Sequence, residues 1–261
     1  MNRIAIALLG VVGVAFVLKL FAGDQPPAAQ MPSATPVLIE LFTSEGCSSC
    51  PPADALLETF DTQPYPGAEL IVLSEHVDYW NHIGWTDPYS SHASSERQSA
   101  YASHFHLDGP YTPQMIVDGS EEFVGSSAGE ASKVFGKAIR TGKIAVTISR
   151  ASLENNQLHA HVEVGPLPLH SGKADVVFAV ALNHAESQVA RGENAGRRLA
   201  HVAVVRSLSK VGKTEAGQPF SQDVSLKLDP GVDPASLRVI AFVQEPGPGR
   251  ILGATLQKLA K

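Results

Sequence analysis

The apolar positions of the chain fall into two textures. From Val37 to Phe42 every residue except Glu40 is apolar, which predicts a short buried strand. In Pro51 to Phe60, the residues Ala53, Leu56, Leu57 and Phe60 recur at helical spacing and predict an amphipathic helix. Leu70 to Leu73 reads as a second strand, and Pro88 to Phe105 has helical composition with few strong apolar residues. Gln114 to Val117 predicts a third strand, ended by the Asp118–Gly119 turn signal, with Glu122 to Val124 returning as a hairpin. Ala128 to Ile139 closes this part with a helix. Strands alternating with helices in this order predict a layered α/β domain over residues 37–142.

From Lys143 onward the pattern changes. Ile144–Ile148, Leu158–Val164, Val176–Ala181, Ala200–Val205, Val224–Leu228 and Val239–Val243 alternate or run apolar between Gly, Pro, Asn and Asp. Short strands with no long helix between them predict a β-sandwich over residues 143–261.

The first 23 residues have a different character. Arg3 precedes an uncharged apolar run from Ile4 to Leu18. As a helix that run reaches about 22 Å, short of a ~30 Å hydrocarbon core, which suits a cleaved signal peptide. No clean A-x-A site follows, and Lys19 gives way to Leu20, Phe21 and Ala22, so an anchor retained in the inner membrane remains an alternative. Either reading exports the rest of the chain, making it periplasmic or secreted. Residues 24–36, with Pro26, Pro27, Pro32 and Pro36, read as a linker.

Composition sharpens this picture. The chain has 261 residues and a net charge of −6, which argues against a nucleic-acid binder. Residues 37–142 carry 15 acids and 4 bases, and residues 143–261 carry 10 acids and 14 bases. Opposite signs predict two domains that dock. Screening and the small value of exposed ion pairs require an apolar seam as well, for which the 128–139 helix offers Val134, Phe135, Ala138 and Ile139.

There are only two cysteines, Cys47 and Cys50, too close together to staple a large fold. They lie between the predicted strand at 37–42 and the predicted helix at 51–60. A redox dithiol needs two sulfurs within bonding reach, one of them exposed and acidified, and the free N–H groups of a helix N-terminus stabilise a thiolate. Pro51 and Pro52 fit a first helical turn. Half a zinc site or two core thiols are the competing readings, but zinc needs two further ligands.

A strand, a C-x-x-C opening a helix, and Thr112-Pro113 opening a distant strand resemble the thioredoxin fold. That resemblance implies that Pro113 is a cis-proline facing the dithiol. More narrowly, Phe42-Thr43-Ser44-Glu45-Gly46-Cys47-Ser48-Ser49-Cys50-Pro51-Pro52-Ala53-Asp54 is similar to a secreted bacterial family, the domain of unknown function 1223. His76-Val77-Asp78-Tyr79-Trp80, Gly84-Trp85, Glu96-Arg97-Gln98, Tyr111-Thr112-Pro113-Gln114-Met115 and, more loosely, Gly192 to Arg197 resemble its shared stretches. The resemblance implies a thioredoxin-like domain and supplies no substrate. Two departures stand out: Gly46 occupies the place where thioredoxins carry Trp, and Glu40 lies one residue too far from Cys47 to match their buried carboxylate. Glu40 is either a buried acceptor for the Cys50 proton or an edge-strand carboxylate in water.

Three other groups of residues carry possible chemistry. His76 to Trp85, with both tryptophans, is either a partner-binding rim or an insertion pinned by its own aromatics. His104 and His106 either complete a Cu(I) site with the two thiolates or end an exposed helix. Gly192 to Arg198 either cradles an anion through Arg197 and Arg198 or forms a solvated hairpin loop.

The expected protein is therefore an exported thiol–disulfide oxidoreductase-like protein, with a thioredoxin-like domain followed by a β-sandwich. By the resemblance, Cys47 is the nucleophile, Cys50 the resolving thiol, and Thr112–Pro113 shapes the groove, with Glu40 as a candidate proton acceptor. Its partners would be protein thiols and disulfides of the cell envelope, with no organic cofactor required. A copper metallochaperone and a non-catalytic envelope binding module are the alternatives.

Overall fold

Residues 34–228 and 230–259 are described by a computed structural model. The segment 1–23 and the linker as far as residue 33 lie outside the described residues, as does the choice between signal peptide and anchor. No helix among the described residues is long and apolar enough to cross a membrane.

The elements, in chain order, are β1 (Thr35–Thr43), α1 (Pro51–Thr62), β2 (Ala68–His76), α2 (His92–His104), β3 (Gln114–Val117), β4 (Glu121–Val124), α3 (Ala128–Ala138), β5 (Val146–Glu154), β6 (Gln157–Val164), β7 (Ala174–Gln188), β8 (Arg198–Thr214), β9 (Phe220–Lys227), β10 (Leu237–Gln244) and β11 (Ile251–Lys258). Among the described residues, eight strands form one mixed sheet in the order β11-β10-β7-β8-β2-β1-β3-β4, and β5-β6-β9 form a second. β1 pairs parallel with β2 and antiparallel with β3.

The period of two along β1 divides its side chains between two cores. Val37, Ile39 and Leu41 pack with Ala53 and Leu57 of α1 and with Ala131, Val134 and Phe135 of α3. Phe135 meets Phe60 and Tyr65 edge-on, with ring centroids 5.0 and 5.2 Å apart. Truncating a ring so buried costs about 3–5 kcal/mol. The opposite face of β1 carries Leu38, Glu40 and Phe42. Phe42 packs with Tyr101 of α2, while Leu38 joins Ile71, Leu73, Ile240 and Phe242.

That last cluster overturns the expected boundary at 142/143. The described residues form one compact unit. Both faces of β10 are buried: Val239, Ala241 and Val243 pack toward β5, β6 and β9, while Ile240 and Phe242 pack toward β1 and β2. In a flat sheet, β10 and β1 would stand about 19 Å apart, four strand spacings. Contact between them requires the sheet to fold back on itself. The start of β11 completes the closure, with the Ile251 N–H donating to the Asp118 carbonyl at 2.7 Å. The buried Lys143 ammonium sits 2.8 Å from an Asp118 carboxylate oxygen. A sandwich does form between β5-β6-β9 and one face of β7 and β10, but the other face of those strands is core for the first half. The helix α3 packs on its own side of the sheet and supplies no seam toward β7 and β10.

Helix termini follow local chemistry. Pro51 and Pro52 occupy the first turn of α1. Ser91 caps α2 by accepting from the Ser94 N–H at 3.1 Å.

Candidate functional site: a covered disulfide

Cys47 and Cys50 are joined as a disulfide, with Cα atoms 5.4 Å apart. The Cys47 N–H bonds the Ser44 carbonyl, and the Cys50 N–H bonds the Cys47 carbonyl, both at 3.2 Å, which makes the motif a tight turn feeding α1. Cys50 is the helix cap. The free N–H groups expected there are used up. Pro51 and Pro52 have none, and the N–H groups of Ala53 and Asp54 both bond the Cys50 carbonyl, at 2.8 and 3.1 Å. A polar hydrogen near the sulfurs comes instead from Ser49, whose hydroxyl lies 3.4 Å from Cys47 Sγ. The sequence points to the helix N–H groups for that stabilisation, whereas the Ser49 hydroxyl lies within the motif itself.

Thr112–Pro113 is a cis peptide bond. A Cβ built on Gly125 would lie 3.2 Å from Pro113 Cβ and 3.3 Å from Ala53 Cβ, so Pro113 stands against the first turn of α1. Trp80 ties these parts together. Its indole N–H donates to Thr112 Oγ1 at 2.8 Å, and its Cβ would be 3.1 Å from a Cβ at position 46, which is why Gly46 fits there. The His76–Trp85 stretch is thus held by its own aromatics and by the site: Tyr79 and Trp80 pack with Phe42 and Tyr101. The Trp85 indole N–H donates to Glu45 Oε2 at 2.7 Å.

Glu40 does not serve the dithiol. It is 1% exposed, but strand parity turns it to the face opposite α1. It accepts from Arg97 Nε and from the Tyr101 hydroxyl, each at 2.6 Å.

Both cysteines are fully buried, although Ser48 and Ser49 between them are exposed. The cover is the loop joining β7 to β8. Asn194, 1% exposed, donates its amide to the carbonyls of Glu45 and Cys47, 2.9 Å each. Glu193 accepts from the Ser48 N–H at 3.0 Å, and Arg197 donates to Asn194 Oδ1 at 2.8 Å, holding the amide in register. Gly192, at φ +79°, lets the loop pass Trp85, since a Cβ there would be 3.2 Å from Trp85 Cβ. The loop is thus the tip of the β7–β8 hairpin, with Arg191, Glu193, Arg197 and Arg198 exposed as the solvated reading has it, but its Asn194 turns inward and it forms no anion cradle. Arg197 faces Asn194, and Arg198 pairs with Glu186.

Beneath the turn lies a buried polar cluster that no spacing in the chain announces. His201 Nε2 is 3.3 Å from Glu45 Oε1, and its Nδ1 is 3.7 Å from Asp54 Oδ1. His76 Nδ1 is 2.7 Å from Asp87 Oδ2, and the two imidazole rings meet edge-on at 4.6 Å. Burial disfavours the charged form of His201, but hydrogen bonding and charge from Asp54 and Glu45 outweigh it and push the pKa up to about 10. A protonated His201 thus bridges the residue two before Cys47 and the residue four after Cys50. The only hint in the sequence was the position of Glu45 and Asp54 on either side of the motif.

His104, in the last turn of α2, and His106 beyond it are both exposed. Among the described residues no three His, Cys, Asp or Glu side chains are placed to share a metal ion.

Comparison with known proteins agrees with the narrower resemblance. The model of a family described as a protein of unknown function, DUF1223, matches residues 38–244. No curated protein matches the chain. Among solved structures, a crystal structure of a structural-genomics target from Agrobacterium tumefaciens is 26% identical, with 87% of this chain and 95% of that one covered at a TM-score of 0.66. HBP35 of Porphyromonas gingivalis is 18% identical, with 87% of this chain and 76% of that one covered at a TM-score of 0.64, a likeness of fold alone. With the match running from β1 to the end of β10, the chain belongs to the DUF1223 family.

Proposed function

We propose that the protein is an exported, thioredoxin-like thiol–disulfide oxidoreductase whose reactive pair is Cys47 and Cys50. One observation carries the reading: the pair is held as a disulfide in a tight turn at the cap of α1. The Pro113 segment and Trp80 wall the same turn. A thiolate of an envelope protein attacks Cys47 Sγ, and Cys50 leaves as a thiolate, giving a mixed disulfide. A second thiolate of the partner then attacks the partner's own sulfur and releases Cys47. Two electrons pass from the partner dithiol to the Cys47–Cys50 pair, and the partner gains a disulfide. The reverse sequence reduces a partner disulfide.

Cys47 is the better candidate for the sulfur that carries the mixed disulfide, because the Ser49 hydroxyl is placed to stabilise the Cys47 thiolate that leaves when the partner's second thiolate resolves it and that attacks in the reverse direction. His201 with Glu45 and Asp54 fixes the segments on both sides of the motif. The 192–197 loop must move before a protein partner reaches the sulfur, so the closed form is a resting state. Equilibrating the protein with glutathione buffers of graded ratio tests the reading. A single two-electron transition that disappears in Cys47→Ser is the expected result, and a disulfide that stays intact at every ratio contradicts it.

A further inference from the structure

A cavity of about 370 Å³ lies away from the disulfide, between α2, the middle of β8 and the turn at Gly247 and Pro248. Its size falls in the range of small-molecule sites. Its walls are largely apolar, with Val177, Val205 and Leu208 among them. Its polar end is the network that includes Glu40. Arg97 donates from Nε to Glu40 at 2.6 Å and from Nη2 to Tyr101 and Gln244, both at 3.1 Å. Among the described residues no acceptor takes its Nη1. The guanidinium lies over the Tyr101 and Phe242 rings, at 5.1 and 5.6 Å, which fixes its plane.

Two further features favour an anion. Glu75 also lines the cavity, and its Oε1 is buried without a hydrogen-bond partner, 3.5 Å from Arg97 Nε. Burial, joined by the charge of Glu40, holds the Glu75 carboxyl well above the usual carboxylate range and favours its uncharged form. An uncharged Glu75 does not repel an anion. At the rim Arg206 has no ion-pair partner among the described residues. The neighbouring rim charges are matched, Lys210 with Asp175 at 2.6 Å and Glu245 with Arg250 at 3.1 Å.

We propose that this cavity binds a small organic monocarboxylate, its head on Arg97 and Arg206 and its apolar body against Val177, Val205 and Leu208. Arg206 can present its guanidinium fork to the carboxylate in plane, and Arg97 can add an N–H from Nη1, the one nitrogen its own network leaves over. One unmatched rim cation suits a single negative charge, and a multiply charged phosphate would meet walls with little to offer it.

Calorimetric titration of the full chain with octanoate and 3-phenylpropionate tests this, with octanamide and inorganic phosphate as comparison probes. Expected are saturable binding of at least one carboxylate to one site, a loss of about tenfold or more in Arg206→Gln, equivalent to about 1.4 kcal/mol, and no binding to Ala100→Trp, which fills the mouth from the exposed side of α2. Both variants should keep the melting temperature and near-ultraviolet dichroism of the parent, because both positions are exposed. The proposal fails if neither carboxylate binds at millimolar concentration. It also fails if Ala100→Trp binds as the parent does, or if octanamide or phosphate binds as tightly as the carboxylates.

Discussion

The side-chain amide of Asn194 donates to the carbonyl of Cys47 at 2.9 Å, from 147 positions farther along the chain. With Glu193, which accepts from the Ser48 N–H at 3.0 Å, it ties the β7–β8 loop onto the cysteine turn. Because Asn194 also bonds the Glu45 carbonyl, its loss leaves that buried acceptor without a donor and the Cys47 carbonyl with the Cys50 N–H alone. Asn194→Ala should therefore destabilise the closed loop by about 1–3 kcal/mol. The expected outcome is faster reduction of the Cys47–Cys50 disulfide by dithiothreitol, followed by quenching with an alkylating agent. Arg191→Ala, an exposed change in the same loop, should leave the rate unchanged.

Ser49 is the nearby hydroxyl donor to Cys47. In the reduced protein, Ser49→Ala should raise the Cys47 thiol pKa by roughly one unit, the size expected of a hydrogen bond to a charged group. Ultraviolet absorbance of the thiolate against pH checks it. An unchanged titration would mean that the thiolate draws its stabilisation from elsewhere in the turn.

The His201 cluster makes stability depend on pH in a definite direction. Its folded pKa, pushed up to about 10, lies above the ordinary histidine value, so the folded state binds a proton that the unfolded chain has lost. The contribution is complete below roughly pH 6.5 and is lost as pH rises toward 10. Urea midpoints measured across that window should fall with rising pH, and His201→Gln should flatten the fall.

Strand parity separates stability from redox chemistry at Glu40. Removing its charge leaves Arg97, which it meets at 2.6 Å, without its strongest partner in a site of low exposure. Glu40→Gln should cost about 3–5 kcal/mol, the range for breaking a buried pair. The reduction potential of the folded protein should not change, since Glu40 faces away from α1. A shift in potential would place Glu40 in the proton path after all.

What could be read in advance followed from local chemistry. The strand at 37–42, the helix after the two prolines and the Gln114–Val117 strand each declare themselves by periodicity or by their breakers. The cysteine turn was legible for the same reason. The shared core was not, because a run such as Val239–Val243 shows that both faces are buried but not which distant residues bury them. β7 and β8 run well past their apolar centres into His184, Glu186, Arg206 and Lys210, where exposed edges erase the pattern. Asn194 was hidden for a related reason. An asparagine in a Gly-rich loop looks like a turn residue until the fold brings two buried carbonyls to it.

Exchange through Cys47 would take place in a turn that the 192–197 loop covers. Trapping tests it most directly. The Cys50→Ser variant of the full chain, expressed in a cell envelope and quenched with acid, should carry partner proteins as mixed disulfides on Cys47, because no thiol remains to resolve them. Adding Asn194→Ala should increase the yield, and Cys47→Ser should trap far less. Equal and negligible trapping by Cys50→Ser and Cys47→Ser, with the covering loop intact or opened, would contradict the account.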